Sequence, residues 1–266
     1  MRTLLTIFCT VLALTACNES ENPAKTAKAS NAAQADTATQ PAEQILVGSE
    51  LGFPPFEFKD EHGKPVGFEV QILEAIAKAE DFQVQFLPYP RNQFADALND
   101  KKFRIMASAI AINTERAAQV DFSKPILDYD RRIILLDTPK NAQLQTINDF
   151  KGKKLSANRS LNTATEITGS AANVVKTPTF YLSLKMMYNG QTDGVLGDSR
   201  VLEYFSKQHP EIKTRTISLG ESKREIAFAV RKGDTEMLNK LNRGLDKIKA
   251  DGTYQKVFDQ WFGQTK

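Results

Sequence analysis

Sulfur is almost absent from this chain of 266 residues. Its two cysteines, Cys9 and Cys17, both fall within the first 17 residues, so the remainder has no thiol for a disulfide, a thiolate metal site or a cysteine nucleophile. Histidine is equally scarce: His62 and His209 are the two present, too far apart to share metal-ligand spacing. A P-loop, a G-x-S-x-G elbow and a dinucleotide glycine pattern are all missing. Charge of one sign is lacking too, because 35 Lys and Arg against 32 Asp and Glu leave only +3, which gives no ground for a nucleic-acid partner. No metal or cofactor is expected. What is present is an ordinary globular balance, 41% hydrophobic and 25% charged, enough for one or two domains.

The N-terminus reads as an address. After Met1 and Arg2, residues 3–14 (TLLTIFCTVLAL) form an apolar run of signal-peptide length, shorter than a membrane span. The run closes on Leu14-Thr15-Ala16-Cys17, which resembles a bacterial lipobox and implies cleavage after residue 16 with diacylation of Cys17. Two acyl chains make such an anchor stable. Residues 18–43 contain no aromatic and no branched aliphatic side chain but include Pro23 and Pro41, so they cannot bury a core and read as a flexible tether.

The body that follows alternates strand and helix. Residues 45–49 suit a buried strand, and 69–79 carry apolar residues at 70, 73, 76 and 77, one face of a helix. A strand at 82–87, a helix at 92–98 and a buried strand at 104–112 come next, and then a strand at 132–136. The pattern restarts with strands at 154–157, 174–175 and 194–197 and helices at 162–168 and 180–188, and it ends on a strand at 225–230 and helices at 235–250 and 254–262. This order predicts an α/β protein with mainly parallel sheets. Polar stretches at 137–149 and 220–224 mark the boundaries. Pattern alone leaves open whether two domains follow one another or the chain returns to the first.

Four ordered blocks carry a resemblance. Gly48-Ser49-Glu50 with Phe53-Pro54-Pro55-Phe56-Glu57-Phe58, Gly63 and Gly67-Phe68-Glu69-Val70 is similar to the opening of the family 3 extracellular solute-binding proteins of polar amino-acid ABC transporters. Asn113-Thr114-Glu115-Arg116 with Val120-Asp121-Phe122-Ser123-Lys124-Pro125 resembles that family's arginine block, and Asp149-Phe150-Lys151-Gly152-Lys153 the start of its second lobe. Its C-terminal signature is matched by Val230-Arg231-Lys232-Gly233-Asp234, by Lys249-Ala250-Asp251-Gly252-Thr253-Tyr254 and by Trp261-Phe262-Gly263. The resemblance implies a two-lobed periplasmic-binding-protein clamshell of type II with two crossover strands. Lobe 1 would comprise 44–138 and 224–266, and lobe 2 would comprise 139–223.

It also implies a site, because a free amino acid presents a carboxylate, an ammonium and a side chain. Arg116 would hold the α-carboxylate through a two-pronged guanidinium contact, or else be a surface arginine at a helix start. Asp198 would accept from the α-ammonium, cap the helix that begins near Ser199, or do both. Phe53 would cover the ligand side chain, with Phe56 or Phe58 beside it, and backbone groups of Ser108, Ala109 and Ala111 would bind the ammonium and carboxylate. Two or three charge-assisted bonds with aromatic burial reach about 8 kcal/mol, a micromolar affinity.

Departures concern the substrate. Ser160-Leu161-Asn162 replaces the family's second-lobe Gly-Thr-Thr, Asn113 stands where Thr is usual, and Arg104 where Asp is common. Arg91 meets an acidic or polar ligand, is solvated, or pairs with Glu50, whose acidic side chain otherwise suits a cationic ligand. The function implied is an amino-acid receptor that is lipid-anchored through Cys17, faces the periplasm or cell exterior, acts as a monomer and delivers its ligand to ABC permease subunits. An enzyme akin to cyclohexadienyl or arogenate dehydratase and a sensory or adhesive lipoprotein are the alternatives.

Overall fold

The computed structural model describes residues 43–263. Cys9, Cys17, the signal peptide and the tether of the sequence reading lie outside the described residues, apart from residue 43. Among the described residues no helix is long and apolar enough to cross a membrane.

Two five-stranded sheets organise the body. The first runs, from edge to edge, Phe82–Pro88, Glu43–Ser49, Ile105–Met106, Ala229–Arg231 and Val120–Phe122. Its first three strands are parallel, while Ala229–Arg231 is antiparallel to both of its neighbours. The second runs Val174–Lys176, Leu155–Ala157, Gly194–Asp198, Arg131–Leu136 and Thr214–Ser218, with Arg131–Leu136 antiparallel to both neighbours. Buried Ile45, Val47, Phe68, Ile72, Ile76 and Leu241 belong to the first core, and Ile133, Leu135, Phe150 and Leu155 to the second. Each sheet carries its own apolar core, and Val201 and Phe180 of the second lobe also pack on the first.

The connections are the strands Leu127–Tyr129 and Arg224–Ile226, which pair antiparallel with each other. The first passage to the second lobe comes earlier than the sequence boundary at 138, because Arg131–Leu136 is bonded into the second sheet. Its apolar run satisfies a central strand of either lobe, and only pairing decides which.

Two long predicted strands are broken by the fold. Of residues 104–112, only Ile105–Met106 stays in the sheet; Ala109 turns left-handed (φ 48°) and takes the chain out toward the groove. The 225–230 run splits into Arg224–Ile226 in the connection and Ala229–Arg231 in the first sheet. Both runs look continuous in sequence because the backbone that leaves the sheet stays buried, as at Ala107, Ile110, Ala227 and Phe228. Thr214–Ser218 escaped notice because Ile217 is its one buried apolar residue. Gly67, which precedes the helix Phe68–Ala79, has φ 134°, and a Cβ there would lie 2.2 Å from the Phe56 carbonyl oxygen, so no larger residue fits.

Candidate functional site

The floor of the groove belongs to the first lobe and rests on a buried acid pair. Glu57 and Glu69 are both fully buried. Glu57 Oε1 accepts from Ser108 Oγ at 2.9 Å, and Glu69 Oε2 accepts from the Ala109 amide at 2.7 Å. Their other oxygens, Glu57 Oε2 and Glu69 Oε1, have no other protein partner. Burial, and then the charge of Glu69, hold Glu57 well above its ordinary value. Burial pushes Glu69 up to about 7, with the Ala109 amide as the chief counterweight. One proton between the two acids would meet the needs of both orphaned oxygens.

Above this pair, the loop that leaves the first sheet anchors two arginines. Arg91 donates from Nε to the Ser108 carbonyl at 2.9 Å and from Nη2 to the Ala109 carbonyl at 3.0 Å. Burial, followed by the charges of Arg159 and Arg116, lowers Arg91 to about 10. Arg116 lies in the first turn of the helix Thr114–Gln119, whose N-cap Asn113 accepts from the Arg116 amide at 2.8 Å. Its Nη1 reaches back to the Ala111 carbonyl at 2.7 Å. Neither Arg91 nor Arg116 forms an ion pair among the described residues.

The opposing wall comes from the ends of the second-lobe strands, where open α/β sheets place their ligand crevice. Asp198 ends Gly194–Asp198 and precedes the helix Ser199–Gln208, but its side chain makes no cap bond, so the capping alternative is not realised. Burial raises its pKa, and Arg159 is the largest opposing charge. Gly197 keeps this end narrow: a Cβ there would stand 2.5 Å from the Phe180 ring.

Arg159, two residues past Leu155–Ala157, crosses from this wall to the first lobe. Its guanidinium carbon stands 3.7 Å from the centroid of the Phe53 ring, and its Nη2 donates to Glu50 Oε2 at 3.1 Å. Three openings meet at this residue. A cavity of about 940 Å³ includes Glu50, Phe53, Phe58, Phe180 and Tyr204 in its lining; one of about 350 Å³ holds Glu50, Arg91, Glu115 and Arg116; a narrow crevice holds Phe53, Ser160 and Asp198.

The structure thus gathers Glu50, Phe53, Phe58, Arg91, Arg116, Ser160 and Asp198 around one groove. The Ala109 amide is bonded to Glu69, which withdraws that one backbone group from a ligand; the Ser108 and Ala111 carbonyls each accept from an arginine and keep a second lone pair. Glu50 pairs with Arg159, not with Arg91. Leu161 packs on the second-lobe core and Asn162 is exposed, so neither side chain lines these cavities. Phe56 is core, stacked on Phe53 with ring centroids 5.4 Å apart. Arg159 itself was missed: an arginine in a polar Asn-Arg-Ser loop has no periodicity to betray it, although a loop at the carboxyl end of a parallel strand is a place to look.

Residues 45–264 match the bacterial extracellular solute-binding proteins, family 3. The chain is 30% identical over 232 residues to the ABC transporter arginine-binding protein 1 of Escherichia coli (strain K12), covering 84% of this chain and 92% of that one. An ancestral arginine-binding protein bound to arginine superimposes with a TM-score of 0.70 at 33% identity, covering 84% of this chain and 100% of that chain. An ancestral amino-acid-binding protein described as a precursor of cyclohexadienyl dehydratase gives a TM-score of 0.70 at 28% identity, covering 82% and 95%.

Proposed function

The chain belongs to the bacterial extracellular solute-binding proteins of family 3, and from that premise we propose that its groove captures a free amino acid and presents it to the membrane subunits of an ABC importer. The observation that carries this reading is a pair of opposite charges on opposing lobes, Arg116 and Asp198, neither of which forms an ion pair among the described residues. Arg116 offers its remaining guanidinium N–H groups to an α-carboxylate, and the uncapped Asp198 carboxylate accepts from an α-ammonium. Phe53 lines the same groove and carries the Arg159 guanidinium on its ring. Asp198 suits this role because, once buried, a carboxylate gains most from an arriving cation. The ligand side chain extends into the opening beside Arg91.

In this reading Cys17 carries the acyl chains and residues 18–43 hold the lobes off the membrane, so the protein works in the cell envelope as a monomer. A thermal-shift screen of the purified full chain against the common amino acids tests the ligand class, since a ligand that binds only the native state raises the melting temperature by mass action. A saturable shift with at least one amino acid is expected; none with any of them contradicts it. The similarity to a dehydratase precursor keeps one second reading open, and turnover of prephenate or arogenate by the same preparation would favour it.

A further inference from the structure

An aromatic face with a carboxylate at its edge is the combination that receives a cationic side chain. Phe53 and Glu50 form that combination on the first lobe, and it is already occupied. Arg159 lays its guanidinium 3.7 Å above the Phe53 ring and donates to Glu50 at 3.1 Å. An incoming arginine or lysine side chain must therefore evict Arg159, and the evicted cation stays tethered beside the ligand.

The charges around the neighbouring 350 Å³ cavity point the same way. Arg91 and Arg116 face it with only neutral carbonyls as bonding partners, at Ser108, Ala109 and Ala111. Glu50 is committed to Arg159, Glu115 is exposed at the rim, and the acid pair below is bonded to Ser108 and Ala109 and to neither arginine. Arg91 is lowered to about 10 by burial and by the two guanidinia near it, a sign of cation crowding. A zwitterionic ligand answers one of the two unpaired arginines with its α-carboxylate, while its ammonium goes to Asp198. A second carboxylate answers the other.

We infer that the groove selects an acidic amino acid, with Arg91 receiving the side-chain carboxylate and Arg159 serving as a built-in cation that fills the Phe53–Glu50 place and turns away arginine and lysine. The inference rests on the amino-acid reading above and sets this chain apart from the arginine-binding relatives that share its fold.

Calorimetric titration of the full chain with L-glutamate, L-aspartate, L-glutamine, L-asparagine and L-arginine tests it, using the wild type, Arg159→Ala and Arg91→Gln. In the wild type one of the acids is expected to bind at least about tenfold tighter than its amide and at least about a hundredfold tighter than arginine, a discrimination of the size a buried charge partner gives. Arg159→Ala should gain arginine affinity by about tenfold or more, a result misfolding does not produce. Arg91→Gln should weaken the acid toward the level of its amide. Arginine as the tightest wild-type ligand, an amide as tight as its acid, or no arginine gain in Arg159→Ala overturns the inference while leaving an amino-acid receptor in place. If none of these ligands nor any other amino acid binds the wild type, the receptor reading falls as well.

Discussion

The two walls of the groove differ in how their charged groups are held. On the first lobe, Arg91 and Arg116 are bonded to backbone carbonyls, and beneath them Glu57 and Glu69 are locked to Ser108 and Ala109. On the second lobe, Asp198 stands at the head of a helix without capping it, and Arg159 finds its bonds across the groove. A ligand therefore meets a pre-ordered surface on one side and groups with bonds still to make on the other. Pre-ordering lowers the entropic cost of a first encounter.

The contrast breaks most severely at the acid pair. Glu57→Ala strands the Ser108 hydroxyl and removes the proton donor from buried Glu69, so a stability loss of about 2–4 kcal/mol is expected in chemical denaturation. On the other wall, Asp198→Ala should leave the unliganded melting temperature nearly unchanged while costing about 1.5–3 kcal/mol of ligand binding, read by titration. Gly197→Ala pushes a methyl toward the Phe180 ring and should cost about 1–3 kcal/mol of stability through overpacking.

A pH scan separates the walls further. Glu57 and Glu69 both titrate above their ordinary value in the native state, so between about pH 4.5 and about pH 7 the folded protein binds more protons than the unfolded chain. Stability from the pair is fully present below this window and falls as pH rises through it. Glu57→Gln, which keeps a neutral donor toward Glu69, should flatten that slope in melting curves. The smallest effect belongs to the connection: Lys223, mostly exposed, pairs with Asp128 at 2.7 Å, and Lys223→Ala should change stability by less than about 1 kcal/mol.

The same contrast explains what was legible in the sequence. Helices Phe68–Ala79 and Thr235–Ala250 show a strong apolar face, and strands such as Glu43–Ser49 show runs that no other element accounts for. The blocks around Arg116 and Asp198 drew attention to two residues that the fold brings to the groove openings. The crossing at Leu127–Tyr129 was misplaced because strand Arg131–Leu136 is equally apolar for either sheet. Glu57 and Glu69 stood inside matched blocks, yet two acids twelve residues apart give no hint that a helix start and a hairpin bury them against each other. Arg159 acts through contacts with Glu50 and Phe53, more than a hundred residues away in the chain, and no local pattern encodes such a pairing.

The measurement that tests the central claim most directly is a calorimetric titration of the wild type, Arg116→Ala and Asp198→Ala with whichever amino acid gives the largest thermal shift. Capture between the lobes requires one site per chain in the wild type and a loss of about tenfold or more in each variant, with both still folded. Undiminished binding in both variants would contradict it.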